Sequence, residues 1–209
     1  LTAHHQDDQL ETVFMKKIDN GDWLSQIGIR EKMGKLRRPF LGISKEEILM
    51  YAKRNNVRWI EDPTNFDMTI RRNNVRYFQL PQAFQVDSEL KGSLLNTAEK
   101  NILKLEKTTL KLKRNVEHVI KNSSINNILI NRNALQEYNI EELKLFIYTS
   151  ITLPLQIKLH NQSGGFWREF KNFINNSRTG GIFKIGTLTF ILNRDEIVVI
   201  NNYDTIKVP

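Results

Sequence analysis

The chain has 209 residues, enough for one large domain or two small ones, and 40% of them are hydrophobic, so a packed core is expected and disorder is not. A formal net charge of +8 favours a polyanionic partner, of which nucleic acid is the commonest. With no Cys in the chain, disulfides, thiolate metal sites and a Cys nucleophile are excluded. No apolar run approaches the roughly 20 residues that span a bilayer, and no membrane is expected.

The first element is predicted as a helix over Gln6–Lys17, where Leu10, Val13, Phe14 and Lys17 recur at helical spacing, closed by a turn at Asn20-Gly21-Asp22. Arg37–Leu41 reads as a short strand or extended segment, because Arg38 precedes a proline. Ser44 followed by Glu46 and Glu47 is a capped helix start, with the helix stopping near Asn55-Asn56. Val57–Ile60 is expected as a short strand, Glu61–Asn65 as a loop, and Thr69–Leu80 as a helix ended by Pro81. Strand and helix alternating at this pitch suggest the later part of an α/β domain.

From Asp87 to Asn122 there is no Pro and a single Gly. The stripe Leu90, Leu94, Ala98, Ile102, Leu105, Leu112, Val116 and Val119 predicts one long amphipathic helix, about 50 Å if unbroken. Its later half is basic. That face is either a solvated helix surface or a track for a nucleic-acid backbone. A strand at Asn127–Asn131, a helix from Asn139 to about Thr152, a helix over Ser163–Asn176 and strands at Ile182–Ile185, Thr187–Asn193 and Glu196–Asn201 complete the pattern.

Three clusters could carry chemistry. In the opening His4-His5-Gln6-Asp7-Asp8-Gln9-Leu10-Glu11, a helix begun near His5 sets Asp8 one turn beyond His4 and gives Asp7 and Glu11 a shared face. Such a group can bind a divalent cation that accompanies a nucleotide, or take a proton from an attacking amine; equally, acidic residues simply stabilise a first helical turn. The spacing lacks the His-x-x-x-His of a zinc helix. Arg72 and Arg76 share one helix face and can grip a phosphate or carboxylate, or can pair with Glu61, Asp62 or Asp67 as a basic surface helix. Glu61-Asp62-Pro63-Thr64-Asn65 suits a side-chain-capped turn, and its carboxylates can face a cationic substrate.

Thr2-Ala3-His4-His5-x-Asp7-Asp8-Gln9-x-Glu11-Thr12, Arg38-Pro39-Phe40-Leu41, Glu61-Asp62-Pro63-Thr64-Asn65 and Arg72-Asn73-x-x-Arg76, in that order, resemble bacterial tRNA(Ile)-lysidine synthases of the N-type ATP pyrophosphatase superfamily. The likeness in motifs covers residues 1 to about 82; beyond that it rests on layout. It implies residues 1–82 as the remainder of a Rossmann-like adenine-nucleotide-binding domain. Residues 83–209 would then be a long basic helix with a small α+β tRNA-binding domain. It implies adenylation of the C2 oxygen of a wobble cytidine by ATP and displacement of AMP by the ε-amine of lysine. It also implies Mg2+, free L-lysine and a tRNA(Ile) with a CAU anticodon as partners, in the cytoplasm, with a homodimer as one allowed assembly. Asp8, ahead of His4, is then expected to be catalytic, Arg72, Asn73, Arg76, Asp62, Asn65, Glu11 and His5 to bind substrate, Asp7 to touch the metal, and Lys104, Lys107, Lys111 and Arg114 to contact tRNA.

Two departures stand out. The family's Ser-Gly-Gly-x-Asp-Ser pyrophosphate loop occurs nowhere in the sequence, and Asp19-Asn20-Gly21-Asp22 replaces its Gly-Ser/Thr segment. The chain is therefore expected to continue a larger protein and to be inactive alone. The alternatives are a tRNA thiolation enzyme of the same superfamily, disfavoured by the lack of Cys, and a non-catalytic RNA-binding module.

Overall fold

The computed structural model describes residues 1–124, 127–155, 157 and 162–202. It contains helices and strands in two compact units, Leu1–Leu105 and Glu106–Pro209, with the dividing point inside one long helix.

In the first unit, α1 (Gln6–Ile18) buries Leu10 and Val13. A hairpin follows, β1 (Lys32–Met33) with β2 (Leu36–Arg37), turned by Gly34 at φ 56°. Sequence reading had no β1, and of Arg37–Leu41 only Arg37 lies in a strand. The reason is local: the buried Arg38 donates from its backbone N–H to Glu31 O (3.0 Å) and from Nη1 to Arg30 O (2.8 Å), which closes the hairpin base and leads into a turn. α2 (Lys45–Arg54) starts as predicted. Ser44 Oγ accepts from Glu47 N–H (3.2 Å), and Glu47 Oε2 accepts from Ser44 N–H (2.8 Å).

Val57–Ile60 forms no strand, contrary to the sequence expectation; these four residues are exposed, and among the described residues no strand pairs with them. A 3-10 turn (Pro63–Phe66) leads to α3 (Arg71–Asn74), a π-helical turn (Val75–Gln79) and α4 (Leu80–Val86). The helix therefore does not end at Pro81. That proline sits in the first turn of α4, after the π turn has changed the hydrogen-bond register, where a missing N–H costs little.

α5 (Leu90–Val119) begins in this unit, and Leu94 and Ala98 pack with Leu10, Val13, Val75 and Leu80 into its core. The helix stops at Val119 rather than Asn122 because Ile120–Ser123 pairs as β3.

In the second unit β3 joins β4 (Asn127–Asn131), β5 (Ile182–Ile185), β6 (Leu188–Leu192) and β7 (Glu196–Asn201) in an antiparallel sheet of order β3-β4-β7-β6-β5. Alternation buries Ile128 and Ile130 of β4 and Ile197 and Val199 of β7. The unforeseen α6 (Arg132–Gln136) is followed by α7 (Ile140–Phe146), which runs on as a π-helical turn to Thr152. α8 (Gly164–Asn176), capped by Ser163, presents Phe170 to Phe183 and Phe190 of the sheet at ring-centroid distances of 5.0 and 4.9 Å. Among the described residues no helix is long and apolar enough to cross a membrane.

Gly28, at φ 70°, turns the chain back over α1 so that Ile29 N–H reaches the buried Gln9 Oε1 (2.5 Å). A Cβ on Gly28 would lie 2.4 Å from Gln9 Oε1 and 2.9 Å from Val13 Cγ2. Gly28→Ala is expected to destabilise the first unit by about 1–3 kcal/mol, read as a lower urea midpoint; an unchanged midpoint would contradict this packing.

Candidate functional site

The opening cluster and the later arginines, far apart in sequence, meet on α1. Glu11, 1% exposed, lies between two guanidiniums. Arg72 Nε donates to Glu11 Oε2 (2.6 Å), and Arg76 donates to both Glu11 oxygens, from Nε to Oε1 (2.5 Å) and from Nη2 to Oε2 (3.1 Å). Asp8 Oδ1 accepts from Arg72 Nη2 (3.1 Å) and Arg76 Nη2 (3.4 Å), while its Oδ2 accepts from His5 N–H (2.9 Å) and so closes the helix start. Two carboxylates thus face two cations in a half-buried cluster. The Glu11 hydrogen bond, opposed by burial, holds the Arg76 guanidinium above its ordinary pKa. Arg72 and Arg76 do not pair with Glu61, Asp62 or Asp67; the neighbouring Arg71 takes Asp19 instead. Among the described residues Nη1 of both Arg72 and Arg76 has no hydrogen-bond partner.

The other opening residues surround this cluster. His4 Nδ1 bonds the Thr2 hydroxyl (3.0 Å), and His5 lies 3.4 Å from Asp7 and 3.5 Å from Asp8. Asp7 Oδ2 accepts from Lys45 N–H (2.7 Å) and so ties the start of α1 to the start of α2. The four carboxylate oxygens of Asp8 and Glu11 already accept N–H groups. Among the described residues no group of three or more His, Asp or Glu side chains could hold a metal ion. As arranged, these residues do not fit Mg2+.

Asp62, Asn65 and Asn73 sit on a second knot. Asp62 Oδ1 accepts from Thr64 N–H (2.9 Å) and Oγ1 (2.8 Å), contacts that hold its carboxyl below the usual range. The buried Asn73 amide donates to Thr64 O (2.8 Å) and Asp67 O (2.9 Å). Asn65 N–H donates to Asp62 O (3.0 Å). Asp62 and Asn65 thus shape the 3-10 turn, and the Asn73 side chain fastens it to α3 beside the arginines.

Of the basic residues on α5, Lys104 lies 4.0 Å above the Trp23 ring, Lys107 and Arg114 are exposed, and Lys111 pairs with Glu142 Oε1 (2.6 Å). The sequence places Arg38 in an extended segment and in the Arg38-Pro39-Phe40-Leu41 motif without a role for its side chain, which is buried and supports the hairpin.

A PP-loop domain model matches residues 1–83. The chain is 35% identical over 102 residues to the tRNA(Ile)-lysidine synthase of Pseudomonas syringae, covering 47% of this chain and 23% of that protein. It is 39% identical over 85 residues to the enzyme of Coxiella burnetii (39% and 19%), and 41% identical over 67 residues to that of Treponema denticola (32% and 15%). The match to the PP-loop domain and the likeness to tRNA(Ile)-lysidine synthases thus fall on the same N-terminal stretch of the chain. The chain spans about a fifth of the length of the curated relatives it matches. Both arginines and both carboxylates of the α1 cluster fall inside the matched PP-loop segment.

Outside that segment, Glu142 yields a pH test. Burial pushes its carboxyl up, but the Lys111 hydrogen bond and the Asn139 N–H outweigh it, and the net shift is downward from 4.5. A depressed folded pKa adds stability above the unfolded value and loses it as pH falls through the folded one. Wild type should therefore be more stable than Glu142→Gln above pH 4.5, with the gap in urea midpoint narrowing on acidification below it; a gap that widened there would contradict the pairing.

Proposed function

We propose that this chain is part of a tRNA-modifying ligase, a tRNA(Ile)-lysidine synthase, that joins lysine to C2 of a wobble cytidine at the expense of ATP. The observation that carries the reading is the meeting of Asp8 and Glu11 with Arg72 and Arg76, 61 to 68 positions apart, inside the segment matched by the PP-loop domain. It is supported by lysidine synthases being what the matching relatives are named.

The chemistry has two steps. The cytidine C2 oxygen attacks the α-phosphorus of ATP and releases pyrophosphate. The lysine amine then attacks C2, loses a proton, and AMP departs with the oxygen. Negative charge accumulates on phosphate in the first step, and the amine needs a proton acceptor in the second.

The two Nη1 groups form the cationic edge that would meet a phosphate or the lysine carboxylate. Glu11 and Asp8 fix that edge: a guanidinium held by two or three bonds cannot swing away from its anion. Asp8 spends both oxygens on these donors and on His5 N–H, so it acts as orienting carboxylate, which leaves the proton-accepting role to His4. Asp62, Asn65 and Asn73 hold the loop beside the arginines within reach of the substrate's cationic end. Lys104, Lys107, Lys111 and Arg114 would contact phosphates of the tRNA(Ile) with CAU anticodon. A cytoplasmic setting and a homodimer belong to the same proposal.

In the complete enzyme, Asp8→Asn should still bind tRNA but lose incorporation of labelled lysine by at least about a hundredfold. Undiminished incorporation would remove Asp8 from the site.

A further inference from the structure

Beside the arginine cluster lies an aromatic pair that the reaction above does not use. The Phe66 and Tyr77 rings stack with centroids 6.4 Å apart and planes 19° from parallel, yet they stay 57% and 37% exposed. Together they present a contiguous aromatic surface to solvent, which is more informative than a lone exposed ring.

Both rings stand on rigid supports. Phe66 ends the 3-10 turn that Asp62 caps and that the buried Asn73 amide pins at Thr64 O and Asp67 O. Tyr77 lies in the π-helical turn, two residues beyond the fully buried Val75 and directly after Arg76. Arg76, whose guanidinium Glu11 immobilises, precedes Tyr77 in the same π-helical turn. A pre-set aromatic surface beside fixed cations, on a chain of net charge +8, fits a planar group joined to a phosphate backbone.

The geometry points to Phe66 and Tyr77 as a stacking platform for one unpaired base of an RNA substrate. This rests on the tRNA reading above and adds a base-binding surface to it. Stacking is sequence-tolerant, so the pair would hold a loop base splayed out of its helix while other groups choose its identity. An apolar protein partner would also cover two rings, but the net charge of +8 favours the polyanion.

The test uses an RNA hairpin with 2-aminopurine in its unpaired loop, whose fluorescence drops on stacking. Binding is followed separately by anisotropy of an end label. The full chain should bind the hairpin and quench the base. The Phe66→Leu/Tyr77→Leu double variant, which keeps apolar bulk without rings, should lose the quench and bind about tenfold or more weakly, since stacking contributes roughly 1–3 kcal/mol per base. Tyr77→Phe should retain both. Binding by the unaltered chain without a quench, or an equal quench by the leucine variant, overturns the platform alone. No binding by the unaltered chain overturns the platform together with the tRNA reading.

Discussion

The structure of the first unit depends on one carboxylate removed from water. Glu11 is 1% exposed, and its charge is tolerated only because Arg72 and Arg76 deliver N–H groups to both of its oxygens. Burying a charge pair of this kind adds little net stability compared with an apolar contact, but stripping away one partner is expensive, because the survivor is left unpaired. The bridge therefore acts as a specificity device. It decides which face of α3 and the π turn meets α1, and Leu10, Val13 and Val75 then pack behind it. Asp8 extends the bridge to the helix start, and Asp7 extends it to α2. A single rigid polar layer thus covers the core on the side where the proposed chemistry lies.

Much of the secondary structure was legible because its signals are local. Ser44 with Glu47, and Asn139 with Glu142, announce helix starts through side chains that bond within three residues, and both boxes form. The last three strands follow from alternation and a short turn, and their bounds agree with the sequence within one residue at each end. The misreadings share a cause: tertiary context overrode a local rule. Val57–Ile60 has β-forming residues without a sheet neighbour. Pro81 breaks a regular helix but not one whose register the π turn has already changed. Ile120–Ser123 continues the helical pattern of α5, yet pairs with β4.

The candidate site was legible in its members and not in their pairing. Spacing placed Arg72 and Arg76 on one face, but a helical period cannot say what that face meets. Nearby acids such as Asp62 and Asp67 were the obvious partners by sequence distance; both are consumed as turn caps by Thr64 and Thr69. That leaves Asp8 and Glu11 to the arginines. Asn73 and Asp62 illustrate the reverse case, residues in a motif whose visible work is to hold a loop.

Glu11 and the arginines act as one coupled unit. The direct measurement is a double-mutant cycle on Glu11→Gln and Arg76→Gln, with unfolding free energies from urea titration. The expected coupling energy is about 2 kcal/mol or more, each single change costing nearly as much as the pair. Costs that add to within about 0.5 kcal/mol would contradict it, because independent residues behave that way.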